Sequence, residues 1–240
     1  MLDTKLLFAF ALLLIWGGWG LRKYIRPYFA KRKLKKWLDK QKNKDEILKA
    51  QAQLKQLYKF SFRYTVARLA KFRYRIKADR FLYGEIDCLS FIYILSMASP
   101  KTGEVFVDLG SGSGRAVFTA ALSYPFQAAI GIEQLPDLVK LSKKIQNNYQ
   151  TLSDTNTIVK FVQGDLLTYP LETANVVFIN ATAFGGVFWQ KIQIKLKKLT
   201  KGTRVIINTH SLSVDGFTLI YSGYNIMSWG MTMVSIYQKE

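Results

Sequence analysis

Val107-Asp108-Leu109-Gly110-Ser111-Gly112-Ser113-Gly114-Arg115 decides the fold of this chain. An apolar run, residues 104–109 (EVFVDL), stops at three alternating glycines, and a helix-like stretch, residues 115–123, starts directly after them. Glycine permits backbone angles closed to other residues and lets a ligand approach the main chain, while the first N–H groups of a helix have no intrahelical partner. Strand, glycine turn and helix in that order make the start of a β-α unit that holds a ligand at its turn.

Downstream, short apolar runs alternate with helical ones, the pattern of β-α units feeding a parallel sheet. Residues 128–133 (AAIGIE) predict a second strand and 135–149 a second helix. Residues 158–163 and 175–180 predict strands, 187–198 an amphipathic helix and 204–208 a further strand. Residues 216–221 and 231–238 have no helix between them. They predict an antiparallel hairpin at the sheet edge, joined through Ser222-Gly223-Tyr224-Asn225. G-x-G-x-G alone is a weak signal, but Glu133 ends the second strand, where a carboxylate binds both hydroxyls of a ribose. Asp165 follows the third strand, at the place of an adenine amino group. Asp108, two residues ahead of Gly110, repels a pyrophosphate and suits a cationic ligand, which disfavours a dinucleotide-dependent oxidoreductase.

These three positions resemble the class I S-adenosylmethionine-dependent methyltransferases. The resemblance implies an α/β, Rossmann-like sheet, mostly parallel with an antiparallel C-terminal hairpin, and S-adenosyl-L-methionine as cofactor. A narrower resemblance covers roughly residues 80–212. Phe81-Leu82-Tyr83-Gly84-Glu85, FVDLGSGSGR and Phe178-Ile179-Asn180-Ala181-Thr182-Ala183-Phe184-Gly185 are similar to the non-SET histone-lysine methyltransferases of the disruptor-of-telomeric-silencing family. It implies a cofactor site of Tyr83, Gly84, Glu85, Asp108, Gly110, Ser111, Gly112, Gly114, Arg115, Glu133, Asp165 and Leu166. Asn180 then lies beside the transferring methyl, with Phe184 in the lysine channel. Ala181 stands where that family has a second asparagine. The architecture is also similar to the membrane-anchored lysine methyltransferases of the ATP synthase c subunit, which join a hydrophobic N-terminal segment to the same kind of loop.

The net charge of +19 is concentrated at one end: residues 1–80 hold 22 Lys and Arg against 5 Asp and Glu, and residues 81–240 hold 13 against 11. The expected organisation is therefore a membrane anchor helix (1–24), a basic helical arm (25–80) and a methyltransferase domain (81–240). The run LLFAFALLLIWGGWGL, residues 6–21, makes a helix of roughly 24 Å, slightly short of the roughly 30 Å hydrocarbon core. Flanking Lys5, Arg22 and Lys23 and interfacial Trp16 and Trp19 extend its reach. The basic residues after it predict a single-pass protein with its body in the cytosol. Anionic lipid is the arm's expected partner, ahead of nucleic acid. The cluster Arg63, Arg68, Lys71, Arg73, Arg75, Lys77 and Arg80 alternates with Phe62, Tyr64, Phe72 and Tyr74. These aromatics are expected to pack against the body rather than stack on bases.

A single cysteine, Cys88, and a single histidine, His210, exclude a disulfide framework, a cysteine-ligated zinc site and a multi-histidine centre, so no metal is expected. Cys88 is expected to pack as a small hydrophobe and His210 to sit structurally in a loop. Methyl transfer to an amine needs alignment, exclusion of water and an uncharged nucleophile, and no strong base. Asn180 suits it by accepting a hydrogen bond from the amine, with Phe184, Phe188 and Trp189 as apolar walls. The expected activity is thus methyl transfer to a protein lysine. Kept open beside it are a small-molecule, lipid or nucleic-acid methyltransferase, a non-catalytic binding protein and a dinucleotide-dependent oxidoreductase.

Overall fold

The computed structural model describes residues 26–59, 61–75 and 84–240. Seven strands form one sheet: β1 (Val105–Leu109), β2 (Ala128–Glu133), β3 (Ile158–Gln163), β4 (Val176–Asn180), β5 (Arg204–Asn208), β6 (Phe217–Met227) and β7 (Gly230–Lys239). Their order is β3-β2-β1-β4-β5-β7-β6, with β1 to β5 parallel and β7 antiparallel to both β5 and β6. The interior strands β1 (VFVDL), β4 (VVFIN) and β5 (RVIIN) are nearly continuous apolar runs, as strands covered on both faces require. The chain steps outward from β1 to β3 and then crosses back to β4. The crevice beyond the carboxyl ends of β1 and β4, at this reversal, is where open parallel sheets bind ligands.

Seven helices accompany the sheet among the described residues: α1 (Arg26–Asp39), α2 (Lys44–Leu57), α3 (Arg63–Arg73), α4 (Cys88–Ala98), α5 (Arg115–Ser123), α6 (Pro136–Leu152) and α7 (Gly186–Leu196). Asp87 caps α4 by accepting from the Ser90 N–H at 2.9 Å. α4, α5 and α6 cover one face, where Phe91 packs on Phe178 at 4.7 Å and Phe118 on Phe161 at 5.2 Å between ring centres. On the other face Trp189, Ile192 and Leu196 of α7 meet Val177, Ile179, Val205 and Ile207. Cys88 is buried, and burial pushes its thiol up to about 12.

The helices of the basic segment form a further layer on α4 to α6. Leu54, Leu57 and Tyr58 are buried in the same cluster as Phe118 and Tyr149, and Trp37 meets Tyr93 edge-on at 5.4 Å. Ala67 and Ala70 of α3 pack on Leu135 and Leu138 at the start of α6.

Two expectations are corrected. Phe62 and Phe72 are 76% and 85% exposed, and Tyr64 and Tyr74 are exposed as well. α3 turns its small alanines inward for close helix contact, so the aromatics face away from the body. The hairpin turn is at Ser228-Trp229, because Met227 pairs with Gly230 and residues 222–225 lie inside β6. A bulge between Leu219 and Tyr221 breaks the two-residue alternation that would have revealed the longer strand. No helix among the described residues is long and apolar enough to cross a membrane. The expected anchor, residues 1–24, lies outside the described residues.

Candidate active site

The glycine turn is tied to the end of β2. The Gly110 and Ser111 N–H groups donate to Ile132 O at 2.9 and 3.0 Å. The Gly112 N–H donates to Glu133 Oε2 at 2.9 Å, and the Leu135 N–H to Glu133 Oε1 at 2.9 Å. Gly114 begins α5 at φ 88°, and a β-carbon there would run into the Phe161 ring, so backbone and packing both demand glycine. Asp108, at the tip of β1, is buried with Oδ1 lacking any protein donor. Burial, followed by the charge of Glu133, pushes its carboxyl well above the usual range. Glu133 is also raised by burial, partly offset by the backbone N–H groups it accepts. A carboxyl held at a strand end away from protein donors suits a cationic ligand.

The loops after β3 and β4 approach the same turn. A methyl group placed at Gly110 would lie 3.5 Å from the Phe184 ring and 3.8 Å from Leu166. Leu166 is buried, and Phe184 meets Phe188 edge-on at 5.0 Å. Asp165 is exposed at the rim, its Oδ1 accepting from the Leu167 N–H at 2.9 Å. Asn180 ends β4 two residues beyond Phe178, the register partner of Asp108. Its Oδ1 accepts from the Thr182 hydroxyl at 2.8 Å, and Thr182 lies 3.0 Å from the Thr209 hydroxyl. Trp189 belongs to the core and stacks on His210 at 5.1 Å.

Tyr83 lies outside the described residues. The Gly84-Glu85 segment is clamped from the hairpin: the Trp229 ring occupies the space of a Gly84 side chain, the Glu85 N–H donates to the Ser228 hydroxyl at 3.0 Å, and the Ser228 N–H donates to Glu85 O at 3.0 Å. The Glu85 carboxylate is buried and accepts from Arg63 Nε at 2.5 Å and from the Ser113 hydroxyl at 3.2 Å. Arg115 lies 3.8 Å from the same carboxylate and donates to Ile86 O at 2.9 Å. Glu85 and Arg115 thus bond within the protein. Tyr58, Arg63, Ser228 and Trp229 had no local sequence signal as site residues, because the arm and the hairpin bring them in from far along the chain. Asn208 was likewise missed; it is fully buried at the end of β5 with neither side-chain polar atom partnered.

The family model described as "Histone methylation protein DOT1" matches residues 58–233, most of the chain. The chain belongs to the DOT1 family. Among curated proteins, this DOT1-family chain is 31% identical over 137 residues to a Caenorhabditis elegans protein named histone-lysine N-methyltransferase, H3 lysine-79 specific. That match covers 52% of this chain and 14% of the relative. A Drosophila melanogaster protein of the same name is 25% identical over 133 residues, covering 52% of this chain and 7% of the relative. The chain therefore spans only a small part of the length of these relatives. Among solved structures, an RNA methyltransferase from Salinibacter ruber in complex with S-adenosyl-L-homocysteine is 28% identical with a TM-score of 0.50, covering 62% of this chain and 90% of that one. TrmN from Thermus thermophilus, 16% identical, shares the fold at a TM-score of 0.54 over 68% of this chain and 52% of its own. The fold is that of the class I methyltransferases.

The single-pass membrane placement is corrected accordingly. The relatives are named as histone-lysine methyltransferases, and no helix among the described residues can cross a membrane. Neither finding supports a membrane or lipid partner.

Proposed function

We propose that this DOT1-family chain transfers a methyl group from S-adenosylmethionine to the ε-amine of a lysine in a protein, with a histone as the substrate class. The observation that carries this is the buried Asp108 carboxyl with its unpartnered oxygen beside the glycine turn. An unpartnered buried polar oxygen costs about 1–3 kcal/mol, and a cationic amino-acid group would compensate it. Bound S-adenosylmethionine supplies an electrophilic methyl on a positively charged sulfonium.

Asp108 would hold the ammonium of the cofactor's amino-acid part, and the turn from Gly110 to Gly114 would admit it against the main chain. Glu133, fixed by the Gly112 and Leu135 N–H groups, retains lone pairs for ribose hydroxyls. Asp165 would meet the adenine amino group, and Leu166 and Phe184 would exclude water on either side of Gly110. Gly84, Glu85, Ser111 and Arg115 would shape the site, the charges of Glu85 and Arg115 being used within the protein. Asn180 would accept a hydrogen bond from the neutral amine and orient its lone pair. Entry into apolar surroundings beside a cation would lower the lysine's pKa, since desolvation and like charge both disfavour the ammonium, so that its proton would pass to bulk water before the amine reaches the methyl. The histone class is favoured by the family and by the names of the relatives.

The test is calorimetric titration of the full chain with S-adenosylmethionine, followed by tritiated-methyl transfer to core histones and to total RNA. Micromolar binding that Asp108→Ala abolishes, with label in histone lysines, is the expected result. Label confined to RNA would overturn the substrate class, and absence of binding would overturn the cofactor assignment.

A further inference from the structure

Tyr58 ends α2 and is buried inside the basic segment, yet its hydroxyl donates to Ser113 O, in the glycine turn, at 2.9 Å. Two guanidinium groups lie near its ring: Arg63 at 5.5 Å and Arg115 at 5.4 Å from the ring centre. Arg63 also binds the Glu85 carboxylate, whose other oxygen accepts from the Ser113 hydroxyl. These contacts form a closed circuit: arm to glycine turn through Tyr58, arm to the Gly84-Glu85 segment through Arg63, and segment to turn through Ser113. A second prop lies at the other end of the site. Ala67 and Ala70 pack on Leu135, the residue whose N–H orients Glu133. α3 is further held to α6 by Arg73, which donates to both oxygens of Asp137 at 2.8 and 2.9 Å.

Resting on the cofactor site proposed above, we infer that Tyr58 and Arg63 are positioning residues for S-adenosylmethionine binding, so that the basic arm is part of the catalytic unit. Neither is assigned a contact with the cofactor; each acts through Ser113 and Glu85. The geometry favours this over a purely stabilising role. The hydroxyl of Tyr58 reaches one particular carbonyl in the turn whose shape sets the site. A buried carboxylate that loses its closest cation must shift toward one that remains, here Arg115 at 3.8 Å, and Glu85 is joined directly to that turn. A turn allowed to sample several shapes binds less tightly, because ordering it then draws on the ligand's binding energy.

The test measures S-adenosylhomocysteine affinity of the full-length chain by calorimetry, well below the unfolding temperature of each variant. Tyr58→Phe, which keeps the ring and removes only the hydroxyl, is expected to weaken binding about fivefold, in line with the loss of one buried hydrogen bond. Arg63→Gln is expected to weaken it by about tenfold or more, with part of the loss regained in Arg63→Lys. Lys49→Ala, which breaks an exposed pair with Asp154, leaves affinity unchanged and controls for general loosening of the arm. Because coupling is reciprocal, the ligand should also slow amide exchange in residues 61–66 of the wild-type chain. Variants that melt earlier yet bind within about twofold of wild type would reduce both residues to stabilisers and overturn the inference. A wild-type chain that does not bind at all would overturn the cofactor site itself and this inference with it.

Discussion

Asp108 has no protein partner for one of its oxygens, and its raised carboxyl sets opposite signs for stability and binding. The folded chain holds the Asp108 proton to higher pH than the unfolded chain does. Stability therefore falls as pH rises from the ordinary carboxyl range through the raised one. A cationic ligand favours the ionised form, so with Asp108 in the proposed role affinity for S-adenosylmethionine should rise with pH across the same window and binding there should release a proton. Calorimetry in two buffers of different ionisation enthalpy checks this, and identical heats would refute it. Asp108→Asn should raise the melting temperature at neutral pH, by removing a buried charge, while weakening cofactor affinity about a hundredfold through loss of a charge-assisted bond. Asn180→Ala should leave cofactor affinity within about twofold of wild type and lower kcat about a hundredfold, since its proposed part is to align the amine. Titration and single-turnover kinetics separate those two effects.

Among the elements, the hairpin matters as more than a sheet edge. Its Ser228-Trp229 turn returns to the Gly84-Glu85 segment, with an added bridge from Met227 to Ile86. Gly84→Ala drives a β-carbon into the indole and should destabilise the chain by about 1–3 kcal/mol, the usual cost of overpacking; Trp229→Ala in the same chain should relieve part of it, as a double-mutant cycle in urea would show. The parallel core was legible in the sequence because β1, β4 and β5 are apolar runs broken by helices of ordinary length. The glycine turn, Glu133 and the approach of Leu166 and Phe184 were legible because each follows a strand end. The hairpin turn was not: Ser222-Gly223-Tyr224-Asn225 has turn chemistry, but the Asn225 amide bonds to Tyr221 and Gly223 inside β6 and uses that polarity locally. The inward face of α3 was hidden for a related reason, since two alanines carry little hydropathy and the neighbouring aromatics carry much.

At the scale of the whole molecule, α1 to α3 carry 13 Lys and Arg against 3 Asp and Glu on a layer that shares the body's apolar cluster. Leu54 is fully buried in that cluster, so Leu54→Ala should cost about 2–5 kcal/mol. The loss should appear in one cooperative transition reported alike by far-ultraviolet circular dichroism and by tryptophan fluorescence. Two separate transitions would mean that arm and body fold independently. The position of β7 between β5 and β6 has a further consequence for how a ribosome delivers this chain. β6 leaves the exit tunnel before the strand that gives it a place in the sheet, while β5 waits with a bare hydrogen-bonding edge. The Ser228-Trp229 latch on Gly84 closes only when β7 arrives, so the crevice is finished in a single step that follows the emergence of β7. A nascent chain stalled just after Met227 would therefore present sticky strand edges to chaperones and have no completed pocket for a nucleoside cofactor.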